Sequence, residues 1–212
     1  MNTVLPFYLP MIKYSDIDPR KDAFIFELDD VLYPEKDYLY QVYYLFTSFI
    51  EYTELIDAKE ATNLMINAYL SGGKDVVFDD LKSRLNLDEK YRFNFNHLSN
   101  TANLPLKLLL YPDMLKLLQD IVVDRKQIFV VTNGNPEQQL NKIKQTEWVG
   151  REPYLTCYFA NEIVPKPETD CIDLLIKDRN IQRRNILMIG NTDTDAQCAE
   201  ASGIDFVKID LF

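Results

Sequence analysis

The feature that most constrains the fold of this chain is an apolar run that ends among carboxylates, FIFELDDVLYP at residues 24–34. Its apolar side chains are Phe24, Ile25, Phe26 and Leu28, and its acidic ones are Glu27, Asp29 and Asp30. Buried parallel strands have nearly continuous apolar sequences, and α/β proteins bind ligands at the carboxyl ends of such strands. The run therefore predicts the first strand of a parallel sheet, with a polar site at its end.

Four later segments have strand patterns and alternate with helical patterns. The predicted strands are residues 127–132, 156–160, 185–190 and 205–209. The predicted helices are residues 111–123, a helix that starts at the Asn135 N-cap, residues 168–178, and residues 193–202. Strands that alternate with helices are typical of a parallel sheet covered on both faces. The sequence thus predicts an α/β, Rossmann-like, doubly wound parallel sheet.

One segment interrupts this alternation with helical patterns alone. Its predicted helices cover residues 38–52, 58–70, 76–85 and 91–101. We therefore divide the chain into an α/β core, residues 1–32 and 111–212, and an inserted helical bundle, residues 33–110. Residues 1–22 form an N-terminal extension of the core. We expect its apolar side chains to pack on the body of the protein or against another subunit: Val4, Leu5, Phe7, Tyr8, Leu9 and Ile12.

Charge and composition exclude some classes of function. The 212 residues carry a net charge of −10, which argues against sequence-independent nucleic-acid binding because such binding needs Lys and Arg at phosphates. No apolar run is long enough to span a bilayer, and we find no signal-peptide pattern at the start. Cys157, Cys171 and Cys198 lack metal-type spacing and indicate free thiols in a reducing compartment. We therefore predict a cytoplasmic protein without a membrane partner.

Four motifs, in order along the chain, resemble those of the haloacid dehalogenase (HAD) superfamily. The 24–34 run resembles its first motif, FDLDDTLYP, and Thr132 with Asn133 and Gly134 is similar to the second. Lys166, within VPKP, is similar to the third. GNTDTDAQCAEASG at 190–203 is similar to the fourth, GDSxxDxxAAxxAG. The resemblance extends over almost all of residues 24–209 and points to the phosphatase-like subgroup, whose helical cap follows the first motif.

The resemblance implies a role for each matching residue. Glu27 occupies the position of the nucleophile that attacks phosphorus, and Asp29 that of the general acid and base. Thr132, Asn133 and Gly134 would hold phosphoryl oxygens, and the Lys166 cation would offset the negative charge. The implied ligand is a small phosphorylated molecule, and the implied cofactor is Mg²⁺, bound weakly or not at all. The positions of its ligands are Glu27, Asp29, Asn191 and Asp195.

Two departures from the family pattern bear on activity. Glu27 stands where the family has aspartate, and it extends the reach of the nucleophile by about 1.5 Å. Misplacement by roughly 1 Å can lower a rate on the order of 100-fold. Asn191 replaces a metal-binding aspartate, and its amide oxygen brings no charge to a cation that favours carboxylates. Both departures predict weak or absent phosphomonoester hydrolysis.

Three hypotheses about function remain open from the sequence. The favoured one is a HAD-type protein whose phosphatase chemistry is residual or lost. The second is a working magnesium-dependent phosphatase in which a bulge or altered turn before Glu27 draws the longer side chain back. The third is a non-catalytic module that binds a phosphorylated ligand or a partner. The sequence specifies neither the substrate nor the oligomeric state.

Overall fold

The central feature of the fold is a five-stranded parallel sheet. The computed structural model describes residues 12–209, so the predicted packing of Val4, Leu5, Phe7, Tyr8 and Leu9 lies outside the described residues. The strands of the sheet are β1 (Ala23–Phe26), β3 (Gln127–Thr132), β5 (Leu155–Phe159), β6 (Ile186–Gly190) and β7 (Asp205–Lys208). Their spatial order is β5-β3-β1-β6-β7, with β1 at the centre. This order confirms the predicted doubly wound α/β fold.

The register on both sides of β1 is continuous. Phe24 pairs with Ile128 on β3 and with Leu187 on β6, and each further residue of β1 advances both partners by one residue. The pattern continues past the strand, since the Glu27 amide donates to the Ile189 carbonyl at 3.0 Å. A bulge would place two residues opposite one. The described strands therefore deliver Glu27 to its position through regular parallel pairing.

Helices α5 (Pro112–Val123), α7 (Asp170–Arg179) and α8 (Asp193–Ala201) accompany the sheet. One apolar cluster joins strand residues such as Ile25, Phe129 and Met188 to Leu175 of α7 and Ala199 of α8. All five side chains are essentially inaccessible to water. Burial of this kind stabilises a fold by roughly 1.5–3 kcal/mol per large apolar side chain, so the strand ends rest on a rigid base.

The second compact unit is built mainly of helices. It comprises residues 34–108 and 135–147, and its helices are α1 (Glu35–Glu54), α2 (Ala58–Gly72), α3 (Val77–Leu85), α4 (Tyr91–Thr101) and α6 (Pro136–Gln145). Phe46, Phe78 and Phe95 pack their rings against one another in its core. The core of this unit is therefore built in part from aromatic side chains. The two-residue strands β2 (Leu108–Leu109) and β4 (Thr146–Glu147) were not predicted.

Helix α6 is grouped differently by the structure and by the sequence. The predicted boundaries place it in the α/β core, within residues 111–212, whereas its contacts place it in the helical unit. Its side chains supply the reason. Gln138 donates to the Ser99 carbonyl at 2.7 Å, and Asn141 donates to the Ala102 carbonyl at 2.9 Å.

Among residues 12–209, no helix is long and apolar enough to cross a membrane.

Candidate functional site

Polar side chains gather at the carboxyl ends of the central strands. Glu27 directly follows β1, Thr132 is the last residue of β3, and Asn191 directly follows β6. Lys166 lies in the loop between β5 and α7, and Asp195 lies in the first turn of α8. The carboxyl ends of parallel strands share one edge of the sheet, which is where α/β proteins place their sites. The sheet thus brings together segments that are far apart in sequence.

The Glu27 carboxylate is enclosed by hydrogen-bond donors. Its Oε1 accepts from the Leu28 amide at 2.7 Å and from the Thr132 hydroxyl, and its Oε2 accepts from the Lys166 ammonium. The residue is only 8% exposed. A carboxylate oxygen offers two lone pairs, so these contacts occupy Oε1 fully and Oε2 in part. Little of the carboxylate is left to attack an electrophile.

Lys166 lies between two carboxylates. Its Nζ donates to Glu27 Oε2, to Asp195 Oδ1 and, at 3.1 Å, to the Val131 carbonyl. The side chain is fully buried and that of Asp195 nearly so. The three charges sum to −1, and the ammonium is compensated twice within hydrogen-bond distance. Its positive charge is therefore committed to protein groups.

The pKa values in this cluster shift in different directions. Burial raises the pKa of Glu27 above its ordinary value, and the nearby Asp195 adds to the rise, although Lys166 and Thr132 oppose it. Burial also acts to raise the pKa of Asp195, but Lys166 and hydrogen bonds from Thr192 outweigh it and lower that pKa. Burial acts to lower the pKa of Lys166, yet the two carboxylates prevail and raise it. The ammonium and the Asp195 carboxylate are thus the most firmly held charges.

Asp195 also caps its own helix. Its Oδ2 accepts from the Thr192 hydroxyl at 2.7 Å and from the Thr192 amide at 3.1 Å, while the Thr192 hydroxyl accepts from the Asp195 amide. This reciprocal pair is a capping box. Gly190 makes room for it, because a Cβ at Gly190 would lie 2.6 Å from the Asp195 Cβ. The glycine that ends β6 therefore permits the close approach of α8.

Asn133 and Gly134 hold the loop instead of an exposed ligand surface. The Asn133 amide group donates to the Lys166 carbonyl at 2.9 Å and accepts from the Lys166 amide at 3.0 Å. The Gly134 amide donates to Asn161 Oδ1 at 2.8 Å, and Gly134 has a φ of 117°, which favours glycine. The Asn133 side chain and the Gly134 amide are thus engaged in positioning Lys166 and the turn.

Asp29 has a separate hydrogen-bond partner. Its Oδ1 accepts from the Tyr33 hydroxyl at 2.7 Å, and the two residues also form an isolated β-bridge. Asp30, between them in sequence, has a φ of 57°, and its amide donates to the Tyr33 carbonyl at 2.9 Å. The turn after β1 is thus fixed locally, and Asp29 and Asp30 are both half-buried.

The predicted metal ligands do not fit a magnesium ion well. Asn191 Oδ1 is buried and has no hydrogen-bond partner in residues 12–209, so this oxygen could coordinate a cation. The carboxylates of Glu27 and Asp195 are instead engaged by Lys166 and by other donors. Across the same residues, no group of three or more His, Cys, Asp or Glu side chains is arranged to hold a metal. Magnesium requires near-octahedral oxygen ligands and favours carboxylates, so these residues do not fit it.

Several residues at this site were not predicted from the sequence. Asn161 accepts a hydrogen bond from the Gly134 amide, and Thr192 caps α8. The Leu28 amide donates to the Glu27 carboxylate, and the Tyr33 hydroxyl donates to the Asp29 carboxylate. Thr192 carried a signal that could have been used, since Thr followed three residues later by Asp is an N-cap pattern. Leu28 and Tyr33 lie within the 24–34 run, but nothing in that pattern indicated that they would donate to carboxylates, and Asn161 had no distinctive sequence context. Their roles depend on side-chain and loop geometry.

Comparisons with known proteins agree with the fold. A family model described as haloacid dehalogenase-like hydrolase matches residues 24–209. YfnB from Bacillus subtilis, assigned as a HAD-hydrolase and bound to magnesium, superimposes with a TM-score of 0.61 at 14% identity, covering 88% of this chain and 86% of YfnB. A Thermotoga maritima protein assigned as a β-phosphoglucomutase gives 0.62 at 14% identity, with coverage of 90% and 87%.

A third solved structure shares the fold. The L-2-haloacid dehalogenase of Xanthobacter autotrophicus, with chloropropionic acid covalently bound, gives a TM-score of 0.52 at 15% identity. The alignment covers 89% of this chain and 77% of the dehalogenase. At these identities, the structural similarities show the fold alone. No protein among the curated ones matches the sequence.

Proposed function

This chain belongs to the haloacid dehalogenase-like hydrolases, and we propose that its magnesium-dependent phosphomonoester hydrolysis is weak or lost. The observation that carries the proposal is the position of the Glu27 carboxylate. Regular pairing of β1 delivers Glu27 to the site, and Thr132, Lys166 and the Leu28 amide then hold its oxygens. A phosphatase of this family needs a carboxylate oxygen directed at phosphorus.

The continuous register of β1 counts against the compensated-phosphatase hypothesis. That hypothesis needs a bulge or altered turn that withdraws the longer side chain, and β1 pairs residue by residue with β3 and β6. The extra carbon–carbon bond, about 1.5 Å, is therefore taken up by the side chain. The absence of a bulge in the described pairing of β1 supports the proposal that the activity is residual or lost.

The chemistry left to these residues is binding and orientation. Lys166 can attract an anion only in competition with Glu27 and Asp195, to which it already donates. Asp29 keeps a half-buried carboxylate that could accept a proton. We propose that a small phosphorylated molecule is the ligand, that magnesium is held weakly if at all, and that the protein is cytoplasmic. The dehalogenase fold is shared, but that reaction also needs the aspartate nucleophile.

The test of this function is a double-mutant cycle at the two altered positions. Glu27→Asp shortens the nucleophile, and Asn191→Asp restores a charged metal ligand. We expect the natural protein to turn over small phosphomonoesters far below the typical median of about 10 per second, even with magnesium. The double variant should gain phosphate release and magnesium binding by more than the product of the single effects, because both groups meet at one phosphoryl group.

Matched controls separate a repaired site from a general effect of charge. Glu200→Asp and Asn180→Asp make the same chemical changes at exposed positions and should alter neither measurement. Turnover near the enzyme median by the natural protein would overturn the proposal. Magnesium binding restored without hydrolysis would instead support the non-catalytic binding module. No gain in either measurement would show that the site differs from a phosphatase at more than these two residues.

A further inference from the structure

One face of helix α1 is exposed although it carries large apolar side chains. Tyr44 is 55% exposed and Tyr52 is 89% exposed, and Leu55, the residue that ends the helix, is 91% exposed. Leu106 is 71% exposed, and its amide donates to Gln41 Oε1 at 2.8 Å, so it lies beside the same helix. We define the α1 stripe as Gln41, Tyr44, Ser48, Tyr52 and Leu55. All these residues belong to the helical unit.

The spacing of the α1 stripe places its members on one side of the helix. With 3.6 residues per turn, positions 41, 44, 48, 52 and 55 lie within an arc of about 80°. Other sides of α1 are covered, since Phe46 packs its ring on Phe95 of α4 and the Thr47 hydroxyl bonds that of Thr62 on α2. No residue of the stripe is charged. Tyrosine is enriched and charged residues are depleted at the centres of protein interfaces, so the stripe has the composition of an interface.

Leu55 combines an unfavourable backbone conformation with an exposed side chain. Its φ of 57° and ψ of 31° are left-handed, a conformation that glycine and asparagine adopt more readily at helix ends. The exposed side chain gains nothing from burial that could offset this backbone cost. Strained positions persist where surrounding contacts hold them, so Leu55 indicates that a partner covers this end of the stripe.

The α1 stripe is symmetric about Ser48. Tyr44 and Tyr52 each lie four residues from it, and Gln41 and Leu55 each lie seven residues from it. If two copies of α1 run antiparallel and cross at Ser48, Tyr44 lies beside Tyr52 of the partner subunit, and Leu55 lies beside Gln41 of the partner subunit. The small side chain of Ser48 permits close approach at the crossing point. A surface that complements itself in this way is what a twofold dimer requires.

The charges next to the α1 stripe favour the antiparallel arrangement. Glu51 and Glu54 are exposed near the C-terminal end of α1. In a parallel pair of helices, identical carboxylates would lie side by side, and such juxtaposition of like charges is costly. In the antiparallel pair, Glu51 is level with Leu45 of the partner subunit, and the two Glu54 side chains lie toward opposite ends.

We propose that a second copy of this chain packs on the α1 stripe, with the two α1 helices antiparallel and crossing at Ser48. Leu106, beside Gln41, then contacts Leu55 of the partner subunit and removes it from water. Tyr44 and Tyr52 together expose roughly 300 Å² per copy, to which the two leucines add. A standard interface covers about 800 Å² per partner, so we expect a dimer at the weak end of the range.

Sedimentation equilibrium of the full chain tests for this dimer. We expect the average mass to rise from one chain toward two chains as the protein concentration rises from about 1 μM to about 1 mM. The net charge of −10 opposes association, and the Debye length falls from about 10 Å at about 0.1 M salt to about 3 Å at about 1 M. Salt should therefore strengthen the dimer. A protein that stays monomeric in both salts would overturn the proposal, and so would a dimer that high salt weakens.

Tyr52→Lys and Tyr154→Lys form a matched pair of variants. Tyr154 is 57% exposed and lies in the other compact unit, outside the stripe. Both changes make the net charge less negative, which by itself would favour association. We expect Tyr52→Lys nevertheless to raise the dissociation constant of the dimer at least about 30-fold, the effect of losing a hot-spot residue. Tyr154→Lys should leave it within about threefold. Equal effects of the two changes would contradict the placement of the interface on α1.

Cross-linking at the crossing point tests the register of the two helices. Ser48→Cys places one thiol of each copy at the twofold axis, where diamide can oxidise the two thiols to a disulfide. Ser71→Cys, at an exposed position of α2, is the control, and the natural protein measures any contribution of its own free cysteines. We expect covalent dimers from Ser48→Cys alone. Cross-linking of Ser48→Cys no greater than that of the control would overturn the antiparallel crossing at Ser48.

Discussion

The least replaceable residue of the site is Lys166, because its buried ammonium joins two carboxylates. Glu27 and Asp195 each bind its ammonium, and Asn133 fixes its backbone on both sides. Removal of one partner from a buried ion pair is strongly destabilising because it leaves an uncompensated charge. Here the removal of one ammonium would leave two carboxylates. The lysine therefore stabilises the fold independently of any catalytic role.

Lys166→Met should lower the free energy of unfolding by about 3–5 kcal/mol at neutral pH. Lys116→Met is the matched control, since Lys116 pairs with Asp120 on the surface and should lose at most about 1 kcal/mol. Urea unfolding of both variants, followed by circular dichroism, gives the comparison. Similar small losses in the two variants would contradict the structural role assigned to Lys166.

Glu27→Gln should become more stable relative to the natural protein as pH rises. The pKa of Glu27 is raised in the folded state, so folding favours its protonated form. Raising the pH above the ordinary glutamate value of about 4.3 then removes stability from the natural protein until the folded-state pKa is passed. Glutamine does not titrate, so the difference in unfolding free energy should shift toward the variant by up to about 1.4 kcal/mol per pH unit.

Denaturant unfolding of both proteins between about pH 4.5 and 8, a range above the ordinary glutamate pKa of about 4.3, measures this difference. Titrating groups that do not interact with Glu27 are common to the two chains, so their contributions cancel. A difference that stays constant over this range, or one that moves toward the natural protein, would show that the pKa of Glu27 is not raised.

The sequence identified the polar residues at the strand ends but could not assign their partners. Glu27, Thr132, Lys166 and Asp195 were recognised by their order and by their positions after predicted strands. That Thr132 and Lys166 would both donate to Glu27 depends on side-chain torsions, which no spacing rule specifies. The same holds for Asn133, whose amide group binds the backbone of Lys166. The roles implied for these residues in catalysis remain predictions.

At the scale of elements, the junction of β6 with α8 is a closely packed part of the site. Gly190 ends the strand, Thr192 caps the helix, and Asp195 returns from the first helical turn to meet both. The space that a Cβ of residue 190 would need is occupied by Asp195, whose Cγ would lie 2.8 Å away. Any larger residue must therefore displace the carboxylate that holds Lys166.

Gly190→Ala should lower the free energy of unfolding by about 1–3 kcal/mol, the usual effect of overpacking. Thr192→Ala is the comparison, because it removes the helix cap without crowding and should lose about 1 kcal/mol. Thermal or denaturant unfolding of the two variants checks the order. An alanine at position 190 that leaves stability unchanged would show that the strand and helix can separate without loss.

Long elements were predicted well from their periods, and the shortest ones were not. The 127–132 strand and the 91–101 helix have the predicted bounds, because each has a sustained pattern of apolar residues. Strands β2 and β4 have two residues each, which is too short for an alternation to be visible. Their pairing depends on the tertiary structure.

At the scale of the whole molecule, the sequence predicted the parallel sheet and the helical insert but not the membership of α6. That helix follows β3 in the order typical of an α/β unit, so its sequence position favoured the core. Its polar side chains instead bind backbone carbonyls near the end of α4. Such contacts are specific to one arrangement of helices, and an amphipathic pattern does not indicate which neighbour a helix will choose.

The charged cluster at Lys166 also has a consequence for how the chain folds. Lys166 contacts Glu27, which lies 139 positions away in the sequence, and Asp195, which lies 29 positions away. Thr132 contacts Glu27 across 105 positions. Contacts between such distant residues require loop closure before they add any stability. Interactions that form after the transition state act mainly on the rate of unfolding. Because these contacts join distant parts of the chain, we expect the cluster to form late and therefore to slow unfolding more than it speeds folding.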